Sequence, residues 1–389
     1  MLSVKRFRIS LHDILIFLLT TAVVCFYDIK PLFLGVQAVA IAHTFYLILR
    51  KGTIERESAK YCVWFLMFFL FGILSYAWAN PMNTTVASVS ISVLQVGLMG
   101  LCYIQYANDM AKYNYLIRML IMAGMMLCLR FMASVPVSSW GRMTRFTKDT
   151  IFGSNTPANT LAFTSVITIW YYCYSEKKKP YKGIILSILF MFVSILMGTR
   201  KGVIIFGVGI PLLSLLYSKE ISTTLWKIIL LSGLFFVLYY ALLNIPILYQ
   251  SLGYRLVSMM EGISGDGGDR SFKDRMQFIQ DASKVFFEHP ILGIGQDGYR
   301  YVNSLWKTYS HCNYTEILAN LGITGFILYY MYIFKYLKIS FKRRKEVPLA
   351  FVLLVLMLLI DWFVVAYNIE LTYILIPLVI TKMRIKEFT

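Results

Sequence analysis

The sequence predicts an all-α integral membrane protein of about twelve transmembrane helices, with one long extracytoplasmic loop containing short amphipathic helices. Three observations carry this. Of 389 residues, 58% are hydrophobic and 15% charged, whereas soluble domains usually carry about 25% charged residues. The apolar residues arrive in blocks close to the length of a bilayer crossing, about twenty residues. Finally, 38 Lys and Arg against 20 Asp and Glu leave a net charge of +18, and the basic residues collect in alternate loops. In a soluble chain that excess would suggest nucleic acid. Here it reads as membrane orientation, and no nucleic-acid partner is expected.

Taken in order, the first span is 11–27. It follows Lys5, Arg6 and Arg8 as a signal peptide would, but no small-residue cleavage site follows, so it reads as a retained helix. Spans 32–49, 61–79, 86–106, 115–135, 157–174 and 183–198 come next. After them lie 203–217, 225–243, 314–336, 348–367 and 371–383. Segments 203–217 and 371–383 are short for a crossing, which sets the range at ten to twelve. Alternate connections, including both termini, hold 23 Lys and Arg against eight acids, while the opposite set holds 13. Seven of those 13 sit in one long loop, and long loops carry little topological information. Both termini are therefore expected in the cytoplasm. Residues 1–389 read as a single polytopic membrane domain, with the long extracytoplasmic loop at 245–312.

That loop is far longer than any other connection, and loops of such length are usually functional. A shorter outer loop, 136–156, carries Arg142, Arg145 and Lys148. The six cysteines show no disulfide framework, with Cys312 alone near the outer surface.

Polar groups gather in three places on the outer face. The first is the hairpin Gly198-Thr199-Arg200-Lys201-Gly202, whose two cations run against the orientation of the rest. Its glycines allow a tight turn and the approach of an anion to backbone N–H groups. A snorkelling pair at a helix end explains the cations equally well. The second is 270–288, an amphipathic helix with Phe272, Met276, Ile279, Ser283 and Phe286 on one face and Arg270, Asp274, Gln277, Asp281 and Glu288 on the other. At about 100° per residue, Arg275 falls in the apolar sector, beside Ile279, Ala282 and Phe286. An arginine there needs an anion or several acceptors, and an internal salt bridge is the alternative. The third is Ser310-His311-Cys312-Asn313-Tyr314-Thr315-Glu316, where His311 can accept a proton near neutral pH or serve as an interfacial histidine. Adjacent His311 and Cys312, with no second Cys/His pair outside, do not make a zinc site. Gly293-Ile294-Gly295 is a turn and not a dinucleotide motif, and Gly265-Asp266-Gly267-Gly268-Asp269 lacks the ligand pattern of a calcium loop.

These motifs, GTRKG, then Arg275 leading to HPILGIGQDGY, then SHCNYTEILANLGITGF, resemble the O-antigen ligase and polymerase superfamily of bacterial envelope polysaccharide assembly. The resemblance is specific over 183–335. Family members often place Asn directly after the histidine, whereas here Cys312 intervenes before Asn313. The resemblance implies metal-independent glycosyl transfer without a cofactor, from an undecaprenyl-diphosphate-linked oligosaccharide donor to a lipid-linked acceptor. It implies Arg200, Arg275 and His311 as catalytic residues, the arginines holding diphosphate and the histidine beside the acceptor hydroxyl. Lys201, Arg270 and Asn313 are implied as substrate contacts, and the lipid bilayer and a chain-length regulator as further partners. A capsule or O-antigen polymerase is the first expectation and a ligase to a lipid core the second. The short tail after the last span disfavours the protein-modifying branch. A lipid-linked saccharide transporter is the expectation from another class, with Arg130 and Asp361 as marks of a path or as a structural pair.

Overall fold

The computed structural model describes residues 9–137, 140, 156–176, 179–218, 221–264, 270–302 and 307–387. Every predicted span contains a helix, and among the described residues there is no strand. The expected outer loop 136–156 with Arg142, Arg145 and Lys148, and the stretch from Gly265 to Asp269, lie outside the described residues apart from residues 136, 137, 140 and 156.

Five helices lead the chain: α1 (Leu11–Cys25), α2 (Lys30–Lys51), α3 (Arg56–Leu74), α4 (Val86–Tyr106) and α5 (Met110–Ser134). Their starts follow local chemistry. Ser10 and Asp13 form a reciprocal capping box on α1, and the Asp109 side chain accepts from the Lys112 backbone N–H at the head of α5. Gly52 ends α2 in the left-handed region at φ 69°. Then come α6 (Thr156–Ile169), which continues as a π-helix over Trp170–Ser175, α7 (Pro180–Leu196), α8 (Arg200–Leu216) and α9 (Ile221–Asn244). The long loop holds the single turn α10 (Pro246–Leu248), α11 (Tyr254–Ser264), α12 (Arg270–Glu288) and the short α13 (Tyr299–Val302). The chain closes with α14 (Asn313–Lys342), α15 (Pro348–Ile360) and α16 (Thr372–Glu387).

Ion pairs and hydrogen bonds between helix ends define two polar ends of the bundle. At one, Lys112 and the Tyr106 hydroxyl bind Asp13, Arg384 binds Glu55, and Tyr336 donates to Glu57. At the other, Arg130 binds Asp28, Asn313 meets Asp361, and Ser194 donates to the Ala158 carbonyl. Helices tied at these ends, such as α6 and α7 or α14 and α15, therefore run in opposite directions. Among the described residues five helices, α2 to α5 and α14, are long and apolar enough to cross a membrane, α3 being counted with the short turn that follows it to Ala77. By contrast α1, α7 and α15 are apolar but shorter. In the centre, α6 is buried at every position from Pro157 to Thr168 and packs on α5, α7 and α8. Small residues permit this closeness: a Cβ on Gly209 of α8 would lie 2.8 Å from the Val166 side chain of α6.

The chief irregularity is in α14. Gly322 adopts φ 62°, ψ −166°, splitting one helix into two. The segment after α12 fills the gap with its own backbone. Ile294 and Gly295 N–H groups donate to the Ala319 and Asn320 carbonyls at 3.1 and 2.8 Å, and Ile323 N–H donates to Pro290 at 2.9 Å. A helix can break inside an apolar bundle only where its freed backbone groups find such partners. The fit leaves no room for side chains. A Cβ on Gly322 would lie 2.3 Å from the Ile291 carbonyl oxygen, and one on Gly293, itself at φ 65°, would lie 2.4 Å from the Asn320 carbonyl carbon.

Gly322→Ala combines that overlap with a left-handed backbone, so it should cost about 2 kcal/mol or more. Chemical unfolding in detergent should show the loss, whereas Gly35→Ala, where a Cβ meets nothing within 4 Å, should leave the midpoint nearly unchanged.

Candidate active site

His311 sits just before α14 in the left-handed region at φ 62°, a costly backbone for a residue with a side chain. Its neighbours hold it there. Ser310 N–H donates to the Glu316 carboxylate at 2.6 Å, the Ser310 hydroxyl donates to the Cys312 carbonyl at 2.9 Å, and Asn313 N–H donates to the Asp361 carbonyl at 2.7 Å. Ser310, Cys312 and Asn313 are fully buried, while the His311 ring between them keeps partial access to solvent. Burial pushes the Cys312 thiol pKa up, which suits a packing role.

The imidazole lies between aromatic rings, its centroid 5.8 Å from Phe278 on α12 and 4.3 Å from Tyr309. Burial, then the charges of Arg275 and Lys201, lower its pKa to about 4. At neutral pH it is therefore uncharged and able to accept a proton. The same shift makes the fold acid-sensitive: the unfolded histidine binds protons more readily, so stability falls as pH drops from about 6.5 toward 4.

Those two charges show what the fold brings together. Lys201 is the second residue of α8 and is buried; Arg275 lies on the face of α12 that meets α14, in line with Phe278 and Ala282. The hairpin, the long-loop helix and the head of α14 thus converge on the imidazole. Arg200 opens α8 one position earlier and is partly buried, after Thr199 in extended backbone and Gly198 at φ 69°. Arg270 opens α12, and its side chain lies outside the described residues. The buried stripe of α12 differs from the predicted one. Phe278 and Ala282 are enclosed against Tyr299 and Ala319, whereas Met276 is 43% exposed, because the helix presents the Arg275 side to the bundle.

The Asn313 side chain is bonded within the protein. Its amide nitrogen donates to Tyr330 at 2.9 Å and Asp361 at 3.1 Å, and its oxygen accepts from the Ala366 and Tyr367 backbone at 2.8 and 3.1 Å. With all four positions used, the side chain ties the start of α14 to the turn after α15. Arg130 and Asp361 likewise do not face one another. Arg130 holds Asp28 through two bonds of 2.9 and 2.7 Å, and Asp361 is taken by Asn313 and Tyr330.

A hydrogen-bond circuit that sequence reading missed positions the histidine. The Tyr299 hydroxyl donates to the Phe278 carbonyl at 2.9 Å, Tyr299 N–H donates to Asn320 Oδ1 at 2.7 Å, and Asn320 Nδ2 donates to Glu316 at 2.9 Å. Glu316 then accepts from Ser310 N–H, next to His311, whose ring stacks back on Phe278. The only sequence trace of this circuit is the i,i+4 spacing of Glu316 and Asn320, polar residues in an apolar helix. An open cleft of about 610 Å³, lined by Trp78, Asn80, His289 and Ile291 among others, runs along the inserted segment at the same end.

Residues 185–330 match the model of the O-antigen ligase family, and no curated protein matches the chain. The matched stretch runs from α7 through the hairpin and the long loop to beyond the break in α14, which bears out the resemblance to the O-antigen ligase and polymerase superfamily.

Glu316→Gln tests the circuit. Both carboxylate oxygens accept N–H donors, and Asn320 cannot turn over without losing Tyr299, so an amide would face a donor with a donor. The loss should displace the His311 ring, read as a change in its imidazole NMR signals, while the protein still purifies folded. Asn313→Ala should lower the unfolding midpoint in detergent, because it removes a side chain that makes four buried hydrogen bonds.

Proposed function

We propose that this chain, with its O-antigen ligase family segment at 185–330, is a polysaccharide polymerase acting on the outer face of the bacterial cytoplasmic membrane. It transfers an undecaprenyl-diphosphate-linked glycan chain onto a lipid-linked repeat unit. The observation that carries the reading is the His311 ring stacked on Phe278 of α12, the helix that bears Arg275, with Lys201 of α8 also close enough to act on its charge. In the reaction the acceptor hydroxyl oxygen bonds to C1 of the donor sugar, the bond from C1 to the diphosphate oxygen breaks, and undecaprenyl diphosphate leaves with the electron pair. His311 takes the hydroxyl proton. Arg275, Arg200 and Lys201 hold the phosphate oxygens and stabilise their growing charge. Arg270 adds a contact from the head of α12. Twelve crossings, with both termini cytoplasmic, would put this end outside and offer the polyprenyl tail a lipid-facing path. A ligase to a lipid core is the second reading, favoured by the description of the matched family.

Substrate binding and base strength are coupled in this scheme. An anion placed on Arg275 and Lys201 cancels the charges that help lower the imidazole pKa, so the bound donor makes His311 a stronger base.

Purified protein in detergent with lipid-linked repeat units should elongate chains without nucleotide and in the presence of EDTA, giving a ladder on a gel. One transfer to a lipid core instead of a ladder would mean ligase. Arg275→Ala and His311→Ala should each lower kcat/KM by about 100-fold or more, and full activity in Arg275→Ala would remove the diphosphate role. The acid limb of kcat/KM, which reports the free enzyme, should fall near pH 4, and that of kcat should lie higher.

A further inference from the structure

The end of the bundle opposite His311 carries a second polar cavity. It measures about 480 Å³ and lies among the starts of α1 and α5 and the ends of α2 and α4. Its lining includes Arg50, Lys51, Lys112, Gln105, Asn108 and one acid, Glu55. The acids nearby are already engaged: Glu55 by Arg384, with Lys51 at 3.9 Å, and Asp13 by Lys112, Ser10 and Tyr106. Arg50 pairs with no acid among the described residues, and the buried amide nitrogen of Gln105 has no hydrogen-bond partner. A cavity with surplus positive charge and an unused buried donor is suited to an anion with several acceptor oxygens.

The surroundings say where that anion comes from. Of the five long apolar helices among the described residues, α2 is the least enclosed: 22% of its apolar stretch is buried, against 39–56% in the other four. Phe45, Tyr46 and Leu49 are exposed on the last turns of α2, beside Arg50 and Lys51. A ligand with phosphate in the cavity and alkyl chains along α2 satisfies both features. We infer that this cavity is a binding site for the phosphate headgroup of an anionic phospholipid, with the acyl chains lying along α2. The inference is independent of the reaction at His311.

Native mass spectrometry of the full chain in a mild detergent tests it, with phosphatidylglycerol, phosphatidylcholine of the same acyl chains, and inorganic phosphate as probes. Phosphatidylglycerol should be retained in preference to phosphatidylcholine and should raise the thermal midpoint. Arg50→Gln should weaken its retention about fivefold, and the Arg50→Gln/Lys51→Gln pair about 25-fold. Both residues are exposed, so the variants' own midpoints without lipid check folding. Equal retention of the two lipids, or unchanged retention in the double variant, would overturn the site. Saturable phosphate binding with no lipid preference would overturn the lipid and leave a soluble anion in its place.

Discussion

The site depends on the exchange of backbone hydrogen bonds between 290–295 and the broken middle of α14. In an apolar bundle each unpaired peptide group costs several kcal/mol, so neither the break at Gly322 nor an irregular segment beside it could persist alone. Each supplies the partners the other lacks. The same segment then reaches outward. Gln296 N–H donates to Ser75 after α3, its side chain donates to Tyr367, its carbonyl accepts from Asn83, and Asp297 accepts from Thr85. The long loop is thereby fastened to α3, α4 and α14 at once, and α12 follows through Tyr299. A cation carried on that loop helix is held as firmly as one on a membrane helix.

Electrostatics at the site follow from this rigidity. Glu316 is fully buried and has no cation among its described partners, and its burial is offset by N–H donors on both oxygens. Those bonds turn an expensive group into a fixed point for Ser310 and His311. Around the imidazole the situation is the opposite: burial first, then the charges of Arg275 and Lys201, disfavour its protonated form. An anion fits such a place because it relieves the repulsion among the groups that bind it.

The charge of the chain separates into two kinds. Most of the +18 belongs to the connections that hold 23 cations and eight acids. There Lys112, Arg384 and Lys60 tie helix ends to Asp13, Glu55 and Glu57. At the His311 end the cations are few, and they stand out by placement. Arg130 and Asp361 lie at that end as well, each with its own partner.

Much of the fold was legible because membrane helices announce themselves by length and apolarity. The 86–106 span matches α4 at both ends, and the amphipathic 270–288 matches α12. Arg275 on the buried side of α12 followed from helical periodicity, although the stripe centred on Phe278 and Ala282 and left Met276 outside. The break in α14 was hidden, since Gly322 and Gly325 look alike in the sequence and only Gly322 meets the inserted segment. The amide of Asn313 looked available because its four partners come from α14, α15 and the turn after it. Composition and period thus determined the helices, their alternation and the candidate cations, because hydropathy and helical geometry act locally. Only the tertiary structure decided which cation reaches His311, what holds its backbone and which glycine breaks the helix. Those depend on hydrogen bonds between residues as far apart as Asn83 and Gln296, 213 positions along the chain, and no local pattern encodes such a pairing.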